Sequence, residues 1–206
     1  MKDILILLVP AHHKNTKGKQ SPDGRLKEYQ YSREIINRVI KNLTDKGYTA
    51  INPIPETEEE LPLSEQCKII NNISLKESAK DCICISPHIN AAGNGSEWMN
   101  ARGWSCFIYR GAGEKTKELA GCLEEAAKEE GLKIRYEYPG VPYWVSGLYI
   151  CKNTIIPCVL TESLFQDNKD DVDFLLSEEG KEAITNLHVQ GILKYINNNE
   201  NEQNLQ

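Results

Sequence analysis

A chain of 206 residues is long enough to bury a sizeable core as a single domain. At 40% apolar and 26% charged it has the composition of a globular protein, and it has no apolar run long enough for membrane insertion. A net charge of −6 speaks against a nucleic-acid partner, which would need a basic stripe, but leaves room for a polar, zwitterionic polymer as substrate.

The chain opens on Met1-Lys2 and an apolar stretch, which resembles a secretion signal. The run is short, contains Asp3 and leads to His12 with no small-residue cleavage site. It is therefore read as a first strand, over residues 3–9, and the protein is expected to be made in the cytoplasm without a signal peptide. The strand stops at Pro10 and delivers His12 where the chain turns. Residues 13–27 follow as a loop, with Ser21-Pro22-Asp23-Gly24 as a turn signal. A helix is predicted from Glu28 to Lys46, with Ile36, Val39, Ile40 and Leu43 on one face and Gly47 as its stop. Tyr48 to Ile51 read as a second strand, residues 53–62 as an acidic, solvated loop, and residues 63–80 as a second helix.

Strand 82–86 ends near His88, and Asn90 to Ser96 form a loop of small residues that lets something large approach the backbone. Strand 106–109 precedes an amphipathic helix from Glu114 to Glu130, with Leu119, Cys122, Leu123, Ala126 and Ala127 inward. Residues 134–156 are rich in Tyr, Pro and Gly and look like a long surface excursion. Strand 157–161 reaches Glu162, an acidic loop follows, and a last helix is expected over residues 177–197. The alternation of strands and helices predicts an α/β fold with a mostly parallel sheet flanked on both faces by helices. The expected organisation is one domain over 1–197 and a disordered polar tail over 198–206. The seven cysteines are an odd number and contain no C-x-x-C pair, so they are expected to be buried free thiols.

Parallel strands place their carboxyl ends at one rim, where ligands bind. His12, His88 and Glu162 should converge there, and Glu28 opens the first helix beside them. Two histidines and one carboxylate are a three-ligand set for catalytic zinc, which leaves a position open for water. The second carboxylate can then carry the proton to a leaving nitrogen. Glu28 and Glu162 are the pair available for the two roles. His188 reads as an ordinary surface or hydrogen-bonded histidine, and His13 as solvent-facing or packed behind the ligands.

Four motifs, in order, resemble the zinc-dependent N-acetylmuramoyl-L-alanine amidases of the third amidase class, a family that includes cell-separation amidases and phage endolysins. They are Pro10-Ala11-His12, Glu28 in Lys27-Glu28-Tyr29-Gln30-Tyr31-Ser32, Ser86-Pro87-His88-Ile89-Asn90-Ala91, and Pro157-Cys158-Val159-Leu160-Thr161-Glu162-Ser163-Leu164-Phe165. The resemblance implies a sheet of about six strands, Zn2+ held by His12, Glu28 and His88, and Glu162 as general base and then acid. It also implies the reaction, hydrolysis of the amide between N-acetylmuramic acid and L-alanine in peptidoglycan, with the protein acting at the cell wall. The sequence departs from the family pattern at Val9, at His13, and at Trp104-Ser105 after Gly103. These positions bear on substrate detail and metal tuning rather than on the reaction.

The muramyl sugar and stem peptide are expected to meet Asn90, Asn94, Trp98, Arg102, Tyr143 and Trp144, and the protein is expected to work as a monomer. Residues 134–156 are the stretch with the length to form a lid. Two other readings stand beside the amidase: a zinc carboxypeptidase or other amidohydrolase on a related fold, and a wall-binding module without turnover.

Overall fold

The computed structural model describes residues 4–56, 59, 61–76 and 81–203. In chain order the elements are β1 (Ile4–Leu8), α1 (Glu28–Asp45), β2 (Thr49–Ile51), α2 (Leu63–Lys76), β3 (Asp81–Asn90), β4 (Ser105–Tyr109), α3 (Glu114–Glu129), β5 (Trp144–Ser146), α4 (Tyr149–Asn153), β6 (Cys158–Phe165), α5 (Lys169–Leu176) and α6 (Glu178–Gln203). The strands form one six-stranded sheet in the order β2-β1-β3-β6-β4-β5. All neighbours are parallel except β4 and β6, which are antiparallel.

Every residue of β1 is buried because both faces of the sheet are covered. Alternation along the strands sends Ile4, Ile6, Leu8, Ile83, Ile85 and Val159 to one core, with the inward residues of α1, α3 and α6. Leu5, Leu7, Val9, Cys82, Cys84, Cys158 and Leu160 go to the other, with Cys67 and Ile70 of α2 and Ile150 and Cys151 of α4. Helix α6 packs on both α1 and α3. Helix α1 ends where expected: Gly47 takes φ 84°, and the N–H groups of Gly47 and Tyr48 donate to Thr44 and Leu43 carbonyls at 2.9 and 3.1 Å. The seven cysteines are free and buried. Among the described residues, no helix is long and apolar enough to cross a membrane.

Several elements differ from expectation. Strands β3 and β6 run past their expected ends, so His88 and Glu162 lie inside the sheet, paired in register. Pro87 is tolerated there because β1 stops pairing at Leu8, opposite Ile85, which leaves that side of β3 without a ladder to break. The expected surface excursion contains β5, which extends the sheet, and α4, which covers one face. The expected acidic loop contains α5, capped by Asn168, whose side chain accepts from the Asp171 N–H at 3.1 Å. The polar tail expected to be disordered from 198 is helical to Gln203. Asn199 there bonds back to the Tyr195 carbonyl at 2.8 Å. Of the second expected helix, 77–80 lie outside the described residues, as do 57, 58 and 60 of the acidic loop and 204–206 of the tail.

Candidate metal centre

Three segments meet at the carboxyl end of the central strands. After β1 the chain passes Pro10 and turns at His12, which takes a left-handed φ of 50°, uncommon for a residue with a β-carbon. Glu28 is the first residue of α1 and is buried, its N–H held by the Lys19 carbonyl at 3.0 Å. His88 reaches the same point from β3. His88 Nδ1 lies 3.0 Å from Glu28 Oε1, and His12 Nε2 lies 3.6 Å from Glu28 Oε2. The imidazole rings are edge to face, with centroids 5.1 Å apart. One potential ligand atom from each of His12, Glu28 and His88 lies within 4.8 Å of the other two. Glu28 is thus the carboxylate between the histidines, and Glu162 stands apart from the cluster, opposite His88 on the neighbouring strand.

The electrostatics separate the two glutamates. Burial works to raise the pKa of Glu28, but the hydrogen bond to His88, the charges of both histidines and the Ile89 N–H, which donates at 3.0 Å, carry it below its ordinary value. Burial disfavours charge on His88 too, yet the Glu28 carboxylate raises its pKa. Glu162 has no such neutralising contact. Burial pushes it up to about 7, against an opposing pull from His88. Glu28 Oε2 and Glu162 Oε2 are both buried without a hydrogen bond, which is costly unless something else engages them. For Glu28 Oε2, a cation between it and the imidazoles fits that need. Two nitrogens and one carboxylate oxygen are a donor set suited to a transition metal ion with an open position.

Asn90 closes β3, its carbonyl accepting from Gln166 N–H at 2.8 Å. Asn94 and Trp98 are exposed on the loop that follows. Arg102 pairs with Asp171 at 3.1 Å and Asp170 at 3.4 Å. Tyr143 packs against the core. Trp144 sits on edge strand β5, its ring beside Phe107 and its indole N–H donating to the Arg135 carbonyl at 2.9 Å. Arg102, Tyr143 and Trp144 are therefore occupied in packing and pairing. His13 is buried rather than solvent-facing, and His188 is buried and hydrogen-bonded to Thr161.

Sequence reasoning missed Asp167. Its Oδ2 accepts from the N–H groups of Ala92 and Gly93 at 2.8 and 2.7 Å, and its carbonyl accepts from Met99 N–H at 2.6 Å. One buried carboxylate thus shapes the loop of small residues beside the site. Ser32 and Arg33 of α1 were missed too, since neither carries a sequence signal of its own.

Comparison with known proteins agrees with this architecture. Residues 6–194 match the Amidase_3 family, described as N-acetylmuramoyl-L-alanine amidase. The endolysin of Bacillus phage SPP1 is 26% identical over 172 residues, covering 84% of this chain and 59% of that protein; the chain thus spans less than two thirds of that relative's length. The crystal structure of an N-acetylmuramoyl-L-alanine amidase from Clostridium difficile 630 superposes with a TM-score of 0.79 at 20% identity, over 94% of this chain and 97% of that one. The apo form of the amidase Ami1 from Mycobacterium abscessus does so with a TM-score of 0.78 at 17% identity, over 93% and 98%.

Proposed function

Because the chain belongs to the Amidase_3 family of N-acetylmuramoyl-L-alanine amidases, we propose that it hydrolyses the amide joining N-acetylmuramic acid to the L-alanine of the peptidoglycan stem peptide. The observation that carries this reading is the His12, Glu28 and His88 cluster, with the separate carboxyl of Glu162 opposite His88. In this reading Zn2+ is held by the three clustered side chains. When bound, the ion supplies Lewis acidity that polarises the scissile carbonyl and acidifies water.

Glu162 moves the proton. A half-buried carboxyl that its surroundings make more basic than an ordinary glutamate can accept a proton from the attacking water and return it to the amide nitrogen as the carbon–nitrogen bond breaks. Glu28, held below its ordinary pKa, stays anionic as a ligand. Asn90, Asn94 and Trp98 are the groove residues this reading keeps, on the backbone that Asp167 fixes. In this reading the protein works as a monomer, with all three donors drawn from its own chain, and a net charge of −6 speaks against nucleic acid as its polymer substrate.

Digestion of purified sacculi tests the reaction. The expected products are new L-alanine amino groups without new reducing sugar ends. Glu162→Gln should lower turnover by about 100-fold or more while the protein still binds one zinc, and His12→Ala should lose the metal. Reducing ends as products, cleavage confined to free peptides, or full turnover by Glu162→Gln would each overturn the proposal.

A further inference from the structure

The parallel ladder between β1 and β3 ends at Leu8 opposite Ile85, with one last bond from the Val9 N–H to the Ile85 carbonyl at 2.9 Å. The two histidines lie beyond that point, on backbones that no longer pair with each other. Resting on the zinc reading above, we propose that Ser32 and Arg33 are positioning residues that lock the backbones carrying His12 and His88 onto the helix that supplies Glu28.

Ser32 lies four residues after Glu28, so both side chains leave α1 on one face. Its side chain is buried. The hydroxyl accepts from the Ala11 N–H at 2.9 Å and donates to the Pro87 carbonyl at 2.7 Å. Ala11 immediately precedes His12, and Pro87 immediately precedes His88. A hydroxyl can donate one bond and accept others at once, so a single atom ties both ligand-bearing segments where the ladder has stopped. The Ser86 hydroxyl supports the same gap from β3, donating to the Val9 carbonyl at 3.0 Å.

Arg33 acts on the His12 turn. Its Nη1 donates to the carbonyls of Ala11, His12 and Tyr29 at 3.2, 2.9 and 2.9 Å. The left-handed backbone of His12 persists only where its surroundings hold it, and a guanidinium capturing the carbonyls on both sides of that residue does so. Ser32 and Arg33 thus make α1 the jig for the centre. Glu28 is one ligand on the helix, and the next turn fixes the two that come from the sheet.

The test measures zinc affinity on folded, metal-free protein by competition with a chromophoric chelator, alongside the visible spectrum of the cobalt-substituted protein. Ser32→Ala and Arg33→Met should each weaken zinc binding about 10- to 100-fold and alter the cobalt bands. Ser32→Thr, which keeps the hydroxyl, should retain affinity close to the wild type. A merely structural role would lower the melting temperature of the metal-free variants and leave zinc affinity and cobalt spectrum unchanged, and that result overturns the proposal. If Ser32→Ala does not fold, Arg33→Met, at a half-buried site, decides by the same measurement. A wild-type protein that takes up no zinc would instead sink the zinc reading itself, and this proposal with it.

Discussion

His188 shows how a residue's environment fixes its chemistry. It lies fully buried on α6, its Nδ1–H donating to the Ile184 carbonyl at 2.7 Å and its Nε2 accepting from the Thr161 hydroxyl at 2.8 Å. Burial pushes its pKa down to about 4 from an ordinary 6.5, partly offset by the bond to Ile184. Above pH 6.5 the ring is neutral folded or unfolded. Between 6.5 and 4 the unfolded chain takes up a proton that the folded one refuses, so stability falls with pH across that window, by up to about 3 kcal/mol. Urea titrations at pH 7 and pH 4.5 should show a steeper loss for the wild type than for His188→Gln, and equal losses would refute the assignment. Thr161 precedes Glu162, so this buried pair also anchors the strand that presents the proposed acid–base. The legibility of individual residues follows the same physics. His12, His88 and Glu162 stood out because each closes an apolar run where a polar group needs a reason. Ser32 and Asp167 did not, because a serine in a helix and an aspartate in an acidic stretch become meaningful only when distant backbone arrives beside them.

Among the elements, the contact between α3 and α6 depends on a glycine. A β-carbon placed on Gly191 would stand 2.7 Å from Leu123 Cδ2 and 2.8 Å from Leu123 Cα. The second contact is backbone and cannot swing aside. Gly191→Ala should therefore force the helices apart and destabilise the fold by about 1–3 kcal/mol, even though alanine is the better helix former. Chemical denaturation reads this directly, and a stabilised variant would show that the helices are free to separate. Such close approach is invisible to periodicity, which otherwise served well for long elements. The stripes of α1 and α3 were readable because several turns repeat them. Strand β5, with 3 residues, and α4, with 5, are too short to repeat any pattern. Helix α5 has 8 residues and declared itself only through Asn168 and the acids of its first turn, signals that also suit a loop. The antiparallel entry of β4 beside β6 follows from the pairing of Ser105 with Glu162, a long-range match that local composition does not encode.

For the molecule as a whole, the proposed zinc ion either builds the fold or only occupies it. The proposed ligands come from the turn after β1, the start of α1 and the end of β3, and each of these elements is already seated by apolar residues. Leu8, Ile36 and Ile85 are wholly buried in one core, and Leu7 and Cys84 in the other. Removing zinc should therefore leave the secondary structure intact, with unchanged far-ultraviolet circular dichroism. It should still lower the melting temperature, because an ion that binds only the folded state stabilises it by mass action. At free zinc 100 times the dissociation constant this amounts to about 2.7 kcal/mol, or roughly 5–10 °C for a chain of this size. Chelation followed by calorimetry, then readdition of zinc, should show that drop and its recovery. Collapse of the circular dichroism spectrum on chelation would mean that the ion is a structural staple and that the two cores cannot hold the sheet alone. A melting temperature indifferent to zinc would mean that His12, Glu28 and His88 gather for some purpose other than holding it.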